Sequence, residues 1–249
     1  MDSHIKEFSK MIKECNNIVF FGGAGVSTES GVKDYRSEDG LYNTVKDYGV
    51  PPEDILSHSF FFQNPEIFYD FYRKYFIIDV EPNNAHKALA ILEMMGKIKV
   101  VITQNIDGLH QKAGSKNIIE LHGTASEFYC SACGRETDAN DVLDVIKSGE
   151  IPKCKHCCGI MKPKVVLYQE NLYDGVAESA IEYIANADML IVGGTSLAVY
   201  PAASFVRYFR GKYIVIINKG ETEYDNKANL VIRNSIGTVF EETIKEVCK

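Results

Sequence analysis

Four of the seven cysteines stand in two short pairs whose spacing is typical of a zinc site. The four are Cys130, Cys133, Cys154 and Cys157. Each pair is a Cys-x2-Cys turn that presents two thiolates on one side of the chain, and two such turns brought together make a closed tetrahedral site. Because a closed site has no open position for a substrate, the pattern predicts a structural zinc ion. His156 and Cys158 are neighbouring donors, but the two-residue spacing favours Cys157 as the fourth ligand.

A glycine-rich segment follows the first apolar run of the chain. Residues 17–21 form a run typical of a strand buried in a parallel sheet, and Gly22, Gly23 and Gly25 come next. Such a turn lets the backbone approach a pyrophosphate and points helix N-terminal amides at its charge. Thr28 replaces the third glycine of the G-x-G-x-x-G fingerprint, and no second strand ending in an acidic residue follows about 20 positions on. An ordinary nicotinamide dehydrogenase is therefore disfavoured.

Two polar clusters follow later apolar runs. Residues 103–110 come after the run 99–103, and residues 120–123, which include His122, come after the run 117–121. An open α/β sheet places its ligand beyond the carboxyl ends of its strands. Both clusters are therefore predicted to lie where such a ligand would bind.

The elements that must position these residues alternate along the chain. Further apolar runs occupy residues 164–168, 189–192 and 213–217, and helical patterns occupy residues 5–15, 83–95, 174–186, 200–209 and 238–248. This alternation predicts an α/β fold built on a doubly wound parallel sheet. An aromatic-rich segment and the cysteine segment interrupt it, and they are expected to pack together as a small second domain. We assign residues 1–31, 83–123 and 163–249 to the large domain, and residues 32–82 and 124–162 to the small one.

Composition and charge narrow the class of protein. The 249 residues are 45% hydrophobic and 24% charged, which excludes a disordered or fibrous chain. The net charge of −7 argues against sequence-independent nucleic-acid binding, which needs a dense cationic face. The chain opens without a basic segment leading into an apolar run, and no stretch approaches the roughly 20 apolar residues of a membrane helix. We therefore expect a cytoplasmic protein that binds neither nucleic acid nor membrane.

Several motifs together resemble one family. They are residues 23–27, residues 104–107, His122 with Gly123, the two cysteine pairs, residues 194–197, and Tyr200 with Pro201. In this order and spacing they resemble the sirtuins, a family of NAD-dependent protein lysine deacylases. The resemblance runs nearly end to end. It implies a Rossmann-like NAD-binding domain, a smaller zinc-ribbon and helical domain, and a cleft between them that takes NAD from one side and acyl-lysine from the other.

The resemblance also implies a role for individual residues. The NAD-contacting set would be Gly23, Ala24, Gly25, Thr28, Tyr35, Arg36, Gln104, Ile106, Asp107, Gly194, Thr195, Ser196, Asn218, Lys219 and Ile236. His122 would be the general base, and Asn105 would help to order ribose and water. Ile106 and Asp107 would form the nicotinamide pocket. Val166 and Tyr72 would contact the acyl-lysine substrate, which is a protein or a peptide.

The family's reaction makes sense of these residue types. The acyl oxygen attacks the nicotinamide ribose as nicotinamide leaves, so the protein must supply alignment and a place for a neutral amide. The side chain of Asp107 can accept a hydrogen bond from that amide. A neutral imidazole can then take a proton from a ribose hydroxyl, which suits His122. The products would be nicotinamide, free lysine and acyl-ADP-ribose.

Two other functions stay open at this point. A protein ADP-ribosyltransferase would use the same cleavage of NAD and deliver the ribose to a protein acceptor, but only deacylation needs a base such as His122. A non-catalytic zinc-ribbon binding module is disfavoured by the acidic charge and by the complete cleft motif.

The acyl group is expected to be small or neutral. Family members that remove succinyl or malonyl groups carry a Tyr-x-x-Arg pair whose arginine binds the acyl carboxylate bidentately. Here Tyr72 stands at the tyrosine position but Tyr75 at the arginine position, and Arg73 and Lys74 are out of step on the helix. The sequence therefore predicts deacetylation, with only weak desuccinylation.

Overall fold

The computed structural model of the chain describes residues 3–34, 40–41 and 45–249. The strands in this part of the chain are β1 (Ile18–Gly22), β2 (Ile98–Thr103), β3 (Ile118–Glu120), β4 (Gly123–Cys130), β5 (Glu136–Thr137), β6 (Met161–Val165), β7 (Met189–Gly193), β8 (Tyr213–Ile217) and β9 (Leu230–Ile232). The helices are α1 (Ser3–Glu14), α2 (Val45–Tyr48), α3 (Pro52–Ile55), α4 (His58–Gln63), α5 (Pro65–Tyr75), α6 (Asn84–Met94), α7 (Leu109–Lys112), α8 (Ala139–Lys147), α9 (Val176–Asn186) and α10 (Ile236–Val247), and a 3-10 helix spans Ala202–Tyr208.

Six strands form one parallel sheet in the order β3-β2-β1-β7-β8-β9. Every residue of β1 and β7 is buried, which is why these segments are apolar without alternation. Residues of α1, α6 and α10 pack on one face of the sheet, and residues of α9 and the 3-10 helix pack on the other. The predicted doubly wound α/β sheet is confirmed.

A smaller sheet has the order β5-β4-β6, and its strands are antiparallel. It shares a separate apolar cluster with α3, α4, α5 and α8, and that cluster is rich in aromatic side chains. Phe68 and Tyr72 stack at 5.9 Å between ring centroids, and Tyr72 meets Phe128 of β4 edge to face at 6.2 Å. The aromatic-rich segment and the cysteine segment thus share one core. The assigned divisions between residues 123 and 124 and between residues 162 and 163 fall inside β4 and β6.

One strand prediction is wrong. Residues 164–168 were expected to be a strand of the parallel sheet, but β6 ends at Val165 and pairs with β4 instead. Beyond it, Val166 N donates to His122 O at 2.9 Å and Tyr168 N donates to Leu56 O at 2.9 Å. The segment runs between the small sheet and the start of α4, where Val165 and Leu167 are buried and Tyr168 is exposed. An apolar run in the sequence does not distinguish this setting from a strand that is buried on both faces.

The remaining differences are small. The short edge strand β9 was not predicted, and the 200–209 pattern forms a 3-10 helix rather than an α-helix. Among the described residues, the helices are all too short or too polar to span a membrane.

Candidate active site and metal centre

A cavity of about 840 Å³ lies beyond the carboxyl ends of four parallel strands. Gly23 follows β1, Gln104 follows β2, Gly194 follows β7 and Asn218 follows β8, and all four residues line it. In the strand order, β2 lies on one side of β1 and β7 lies on the other, so the direction of the strand order reverses at β1. Open α/β sheets bind their ligands at such a switch point.

The structure brings almost all of the predicted site residues to this cavity. Those that line it are Gly23, Ala24, Gly25, Thr28, Tyr72, Gln104, Asn105, Ile106, Asp107, His122, Val166, Gly194, Thr195, Ser196, Asn218, Lys219 and Ile236. Tyr35 and Arg36 lie outside the described residues. The opposite wall comes from the small sheet, the segment after β6 and the aromatic cluster, including Leu56, Phe68 and Phe76.

Two glycine loops pack backbone against backbone beneath the cavity. Gly25 N donates to Gly194 O at 2.8 Å, and a Cβ at Gly25 would lie 2.8 Å from that oxygen and 2.9 Å from the Gly194 Cα. No side chain can occupy this position without moving the backbone of the second loop. The result is a cradle of main chain, which suits close approach of a dinucleotide pyrophosphate.

Asp107 is held by a network that starts in the first loop. Ser27 Oγ donates to Asp107 Oδ2 at 2.6 Å, and Leu109 N donates to Asp107 Oδ1 at 2.9 Å. Asn105 Nδ2 donates to the same Ser27 hydroxyl at 3.0 Å. The carboxylate is thereby fixed where it can accept a further hydrogen bond from an amide. Ser27 was not among the predicted site residues, although it stands inside the quoted 23–27 motif.

The network continues into two buried histidines behind the cavity. His86 Nε2 lies 3.4 Å from Ser27 Oγ, and its Nδ1 accepts from Asn83 N at 3.3 Å. His110 packs against the His86 ring at 4.7 Å between centroids, and neither of its nitrogens has a hydrogen-bond partner among the described residues. Burial lowers the pKa of both imidazoles, so both are neutral at pH 7.

His122 presents one defined nitrogen for chemistry. Its Nδ1 lies 2.9 Å from Gln104 O, and because a carbonyl only accepts, Nδ1 carries the proton. The unprotonated Nε2 is then the proton acceptor. Burial lowers the pKa of His122, and its hydrogen bond to Gln104 opposes the shift only in part. The residue after it must be glycine, since Gly123 has φ +73 and a Cβ there would lie 1.9 Å from Lys164 O.

The part of the cavity next to the aromatic cluster is lined mainly by apolar side chains. Tyr72 is 1% exposed, and its hydroxyl donates a hydrogen bond to Ala125 O at 2.7 Å. The hydroxyl proton of Tyr72 is therefore already used within the protein. Arg73 is paired with Asp70, and Lys74 Nζ donates to Asp47 Oδ2 at 3.1 Å; neither lines the cavity. Lys33 is a described residue with a cationic side chain that does line the cavity, and its Nζ lies 6.0 Å from the centroid of the Tyr75 ring.

The four predicted zinc ligands form a cluster. Their sulfur atoms all lie within 4.8 Å of one another. The two turns have the same form, with Gly134 N donating to Cys130 O at 2.9 Å and Cys158 N donating to Cys154 O at 2.9 Å. Cys158 itself, with φ +61, closes the second turn and contributes no sulfur to the cluster. A cluster made of four thiols, with no other donor from the residues that the structure describes, fits Zn²⁺ in a structural site.

Comparison with known proteins gives a consistent picture. A model of the Sir2 family matches residues 23–201. The NAD-dependent protein deacetylase of Clostridium acetobutylicum is 53% identical over 241 residues, which are 96% of this chain and 98% of that protein. A solved structure from work on the mechanism and regulation of Sir2 enzymes superposes with a TM-score of 0.90 at 37% identity, over 100% of this chain and 99% of the other. A Sir2 complex with a p53 peptide and NAD⁺ gives 0.87 at 37% identity, over 99% and 98%.

Proposed function

The chain belongs to the Sir2 family, and from that premise we propose that it is an NAD-dependent protein deacetylase whose base is His122. The observation that carries the proposal is the cavity itself, which joins the main-chain cradle of two glycine loops, the fixed Asp107 carboxylate and the Nε2 of a neutral histidine. The deacetylase from C. acetobutylicum, at 53% identity over nearly the whole of both chains, supports the same activity.

The residues that would hold NAD are those of the two glycine loops, together with Gln104, Asn218, Lys219 and Ile236. NAD supplies a ribose carbon that the acyl oxygen can attack as nicotinamide leaves. The chain's own part is positional. Gln104 Nε2 donates to Gly22 O at 3.2 Å and lies 3.4 Å from Thr195 Oγ1, so it ties the ends of β1, β2 and β7 together beside the ribose site.

His122 would take a proton from a ribose hydroxyl. The Gln104 carbonyl holds the imidazole in the tautomer with a free Nε2, and the lowered pKa keeps that nitrogen unprotonated at neutral pH. The ordinary pKa of histidine is 6.5, and that of His122 is lower. We therefore expect the rate of deacetylation to fall with pH only below pH 6.5, as His122 becomes protonated.

The substrate peptide would lie along the segment after β6. The amides of Val166 and Tyr168 are already used within the protein, whereas no described residue donates to the carbonyl of Val166. That carbonyl can accept a hydrogen bond from the substrate, and residues 195–199 would form the facing edge. Main-chain pairing of this kind gives weak sequence preference. The acidic chain should favour basic flanking residues modestly, with an advantage that salt reduces.

We also propose the two-domain division at the predicted boundaries, with those near residues 123 and 162 shifted so that β4 and β6 stay whole. The antiparallel pairing of β4 with β6 supports placing both strands in the small unit, because their shared apolar cluster is separate from the cores of the large sheet.

The direct test incubates the wild-type protein with NAD and an acetyl-lysine peptide and follows all products by mass spectrometry. Nicotinamide should appear only when both substrates are present, in equal amount to the deacetylated peptide and acetyl-ADP-ribose. A peptide carrying ADP-ribose in place of these products would identify a transferase. Nicotinamide release that does not need the acetyl group would contradict deacetylation.

A further inference from the structure

A buried lysine lies under the wall of the cleft on which the peptide is proposed to bind. The side chain of Lys162, in β6, is 3% exposed. Its Nζ donates to Val165 O at 2.8 Å and to Glu170 Oε2 at 3.0 Å, and it lies 5.5 Å from the centroid of the Tyr129 ring. A buried ammonium is costly unless it is paired and hydrogen-bonded, so the position of Glu170 is strongly constrained.

Glu170 collects three donors on one carboxylate. Oε2 accepts from Lys162 Nζ and from Leu167 N at 2.9 Å, and Oε1 lies 2.8 Å from His58 Nδ1. Burial alone would raise the pKa of Glu170, but the hydrogen bonds from His58 and Leu167 and the charge of Lys162 outweigh it, and the net pKa is lowered. The group is therefore a carboxylate at neutral pH. Glu170 N also donates to Leu167 O at 3.0 Å, which closes the turn 167–170.

The same turn is bonded to the start of α4. His58 N donates to Tyr168 O at 2.9 Å, and Ser59 N donates to Gln169 Oε1 at 3.1 Å. Gln169 has φ +74, a conformation that residues other than glycine rarely adopt and that neighbouring bonds must hold. Glu170 is the member of the turn that reaches β6 on one side and α4 on the other.

This turn is also part of the cavity wall. Residues 166–170 all line the cleft, and the carbonyl of Val166 is the proposed acceptor for the substrate. Glu170 accepts a hydrogen bond from Leu167 N and donates one to Leu167 O. Loss of the carboxylate contacts would therefore let the main chain next to Val166 change its conformation. Nothing in the contacts of Glu170 reaches the glycine loops on the other wall.

Taking the proposed function as given, we infer that Glu170, held between Lys162 and His58, is a positioning residue that fixes the substrate-binding edge of the cleft. It acts on peptide binding and not on the reacting atoms. Removing it should weaken binding of the peptide equally in the ground state and in the transition state, which raises KM and leaves kcat unchanged.

Three single variants and one double variant, Glu170→Gln with His58→Gln, test this. Glu170→Gln keeps the size of the side chain and removes the charge, and His58→Gln removes one partner whose side chain is half exposed and leaves the buried pair intact. Glu127→Gln is the matched control, because Glu127 pairs with Lys164 of the same strand β6 at 2.8 Å, and Lys164 keeps Glu136 as a second partner. Each is assayed for kcat, for the KM of an acetyl-lysine peptide and for the KM of NAD.

We expect Glu170→Gln to raise the peptide KM about five- to tenfold, which is less than the full loss of a charge-assisted hydrogen bond because Glu170 acts on the peptide only through the main chain, and His58→Gln to raise it about twofold to fivefold. For both variants, kcat and the NAD KM should change less than twofold, and Glu127→Gln should match wild type throughout. The double variant should be no worse than Glu170→Gln, since both changes act through one carboxylate.

Three outcomes would overturn the inference. They are an unchanged peptide KM in both His58→Gln and Glu170→Gln, a parallel rise in the KM of NAD, or an equal effect of Glu127→Gln. Should Glu170→Gln fail to fold around the unpaired Lys162 charge, His58→Gln decides the matter alone. Failure of the proposed function would look different, because the wild-type protein would then not deacetylate the peptide at all.

Discussion

The parallel sheet and the three-stranded sheet achieve a stable arrangement by different means. In the parallel sheet, β1 and β7 are buried along their whole length between two layers of helices. In the small sheet, β5 has no buried residue, β4 has two of eight and β6 has four of five, and order comes from an aromatic cluster, four thiols and buried polar contacts such as that of Lys162. The cleft lies between them, so the wall with the glycine loops rests on apolar packing, whereas the wall proposed to bind the peptide rests on an aromatic cluster together with the cysteine cluster and buried polar contacts.

Removing zinc should have the largest effect, and it should act on the small sheet and not on the parallel sheet. A structural zinc site contributes about 10–16 kcal/mol, so Cys133→Ser or chelation should unfold the small sheet and abolish activity indirectly. Hydrogen exchange followed by mass spectrometry should show protection lost in β4 to β6 and retained in β1 and β7. Cys158→Ser is the matched control, and it should keep one zinc per chain and full activity. Full activity after complete zinc loss would show that the peptide wall does not depend on the metal.

The NAD wall has its own sensitive point at Gly25. A Cβ there would press on the backbone of Gly194, so Gly25→Ala should force the two loops apart and raise the KM of NAD by at least about tenfold. Zinc content and the protection of β4 to β6 should stay as in wild type. A Gly25→Ala variant with an unchanged NAD KM would mean that the close packing of the loops is not needed for binding.

The apolar part of the cavity next to the aromatic cluster predicts a preference among acyl groups. A succinyl carboxylate buried beside Tyr72 would find no bidentate partner among the described residues. Burying an unpaired carboxylate costs several kcal/mol, and contact with water would reduce this cost only in part. We expect kcat/KM for succinyl-lysine at least about tenfold below that for acetyl-lysine on the same peptide. Lys33 lines the cavity and is a candidate partner for the succinyl carboxylate. We expect Lys33→Ala to lower any residual desuccinylation further and to leave deacetylation unchanged. Equal or faster hydrolysis of succinyl-lysine would contradict the prediction.

Acid should weaken the fold around the parallel sheet through two buried histidines that lie in α6 and α7. His86 and His110 have lowered pKa values when folded, so below pH 6.5 the unfolded chain binds protons that the folded chain does not. Stability present above pH 6.5 should therefore fall with pH, by up to about 1.4 kcal/mol per pH unit for each histidine. His110→Phe, which removes a ring with no hydrogen-bond partner among the described residues, should flatten this dependence in urea titrations at pH 7 and pH 5. If the free energy of unfolding of His110→Phe fell between pH 7 and pH 5 as much as that of wild type, His110 would not be a source of the acid sensitivity.

The same contrast explains what could be predicted from the sequence. The strands β1, β2, β7 and β8 are apolar because both their faces are covered, and the polar residues at their ends converge by topology alone. The segment 164–168 is equally apolar for a different reason, and its sequence does not distinguish the two. Contacts such as His58 with Glu170, 112 positions apart, follow no local spacing. The Ser27 hydroxyl stands inside a motif, but its partner Asp107 is 80 positions away.

The central claim is that His122 acts as the base of an NAD-dependent deacetylation in this cleft. The most direct measurement compares His122→Ala with wild type in two assays, the rate of acetyl-lysine peptide deacetylation and the Kd of NAD. Losing a general base typically costs 10²–10⁴-fold in rate, whereas NAD binding, which we propose to rely on the glycine loops, should change less than about threefold. A His122→Ala variant that keeps more than about a tenth of the wild-type rate, with NAD binding intact, would contradict the account.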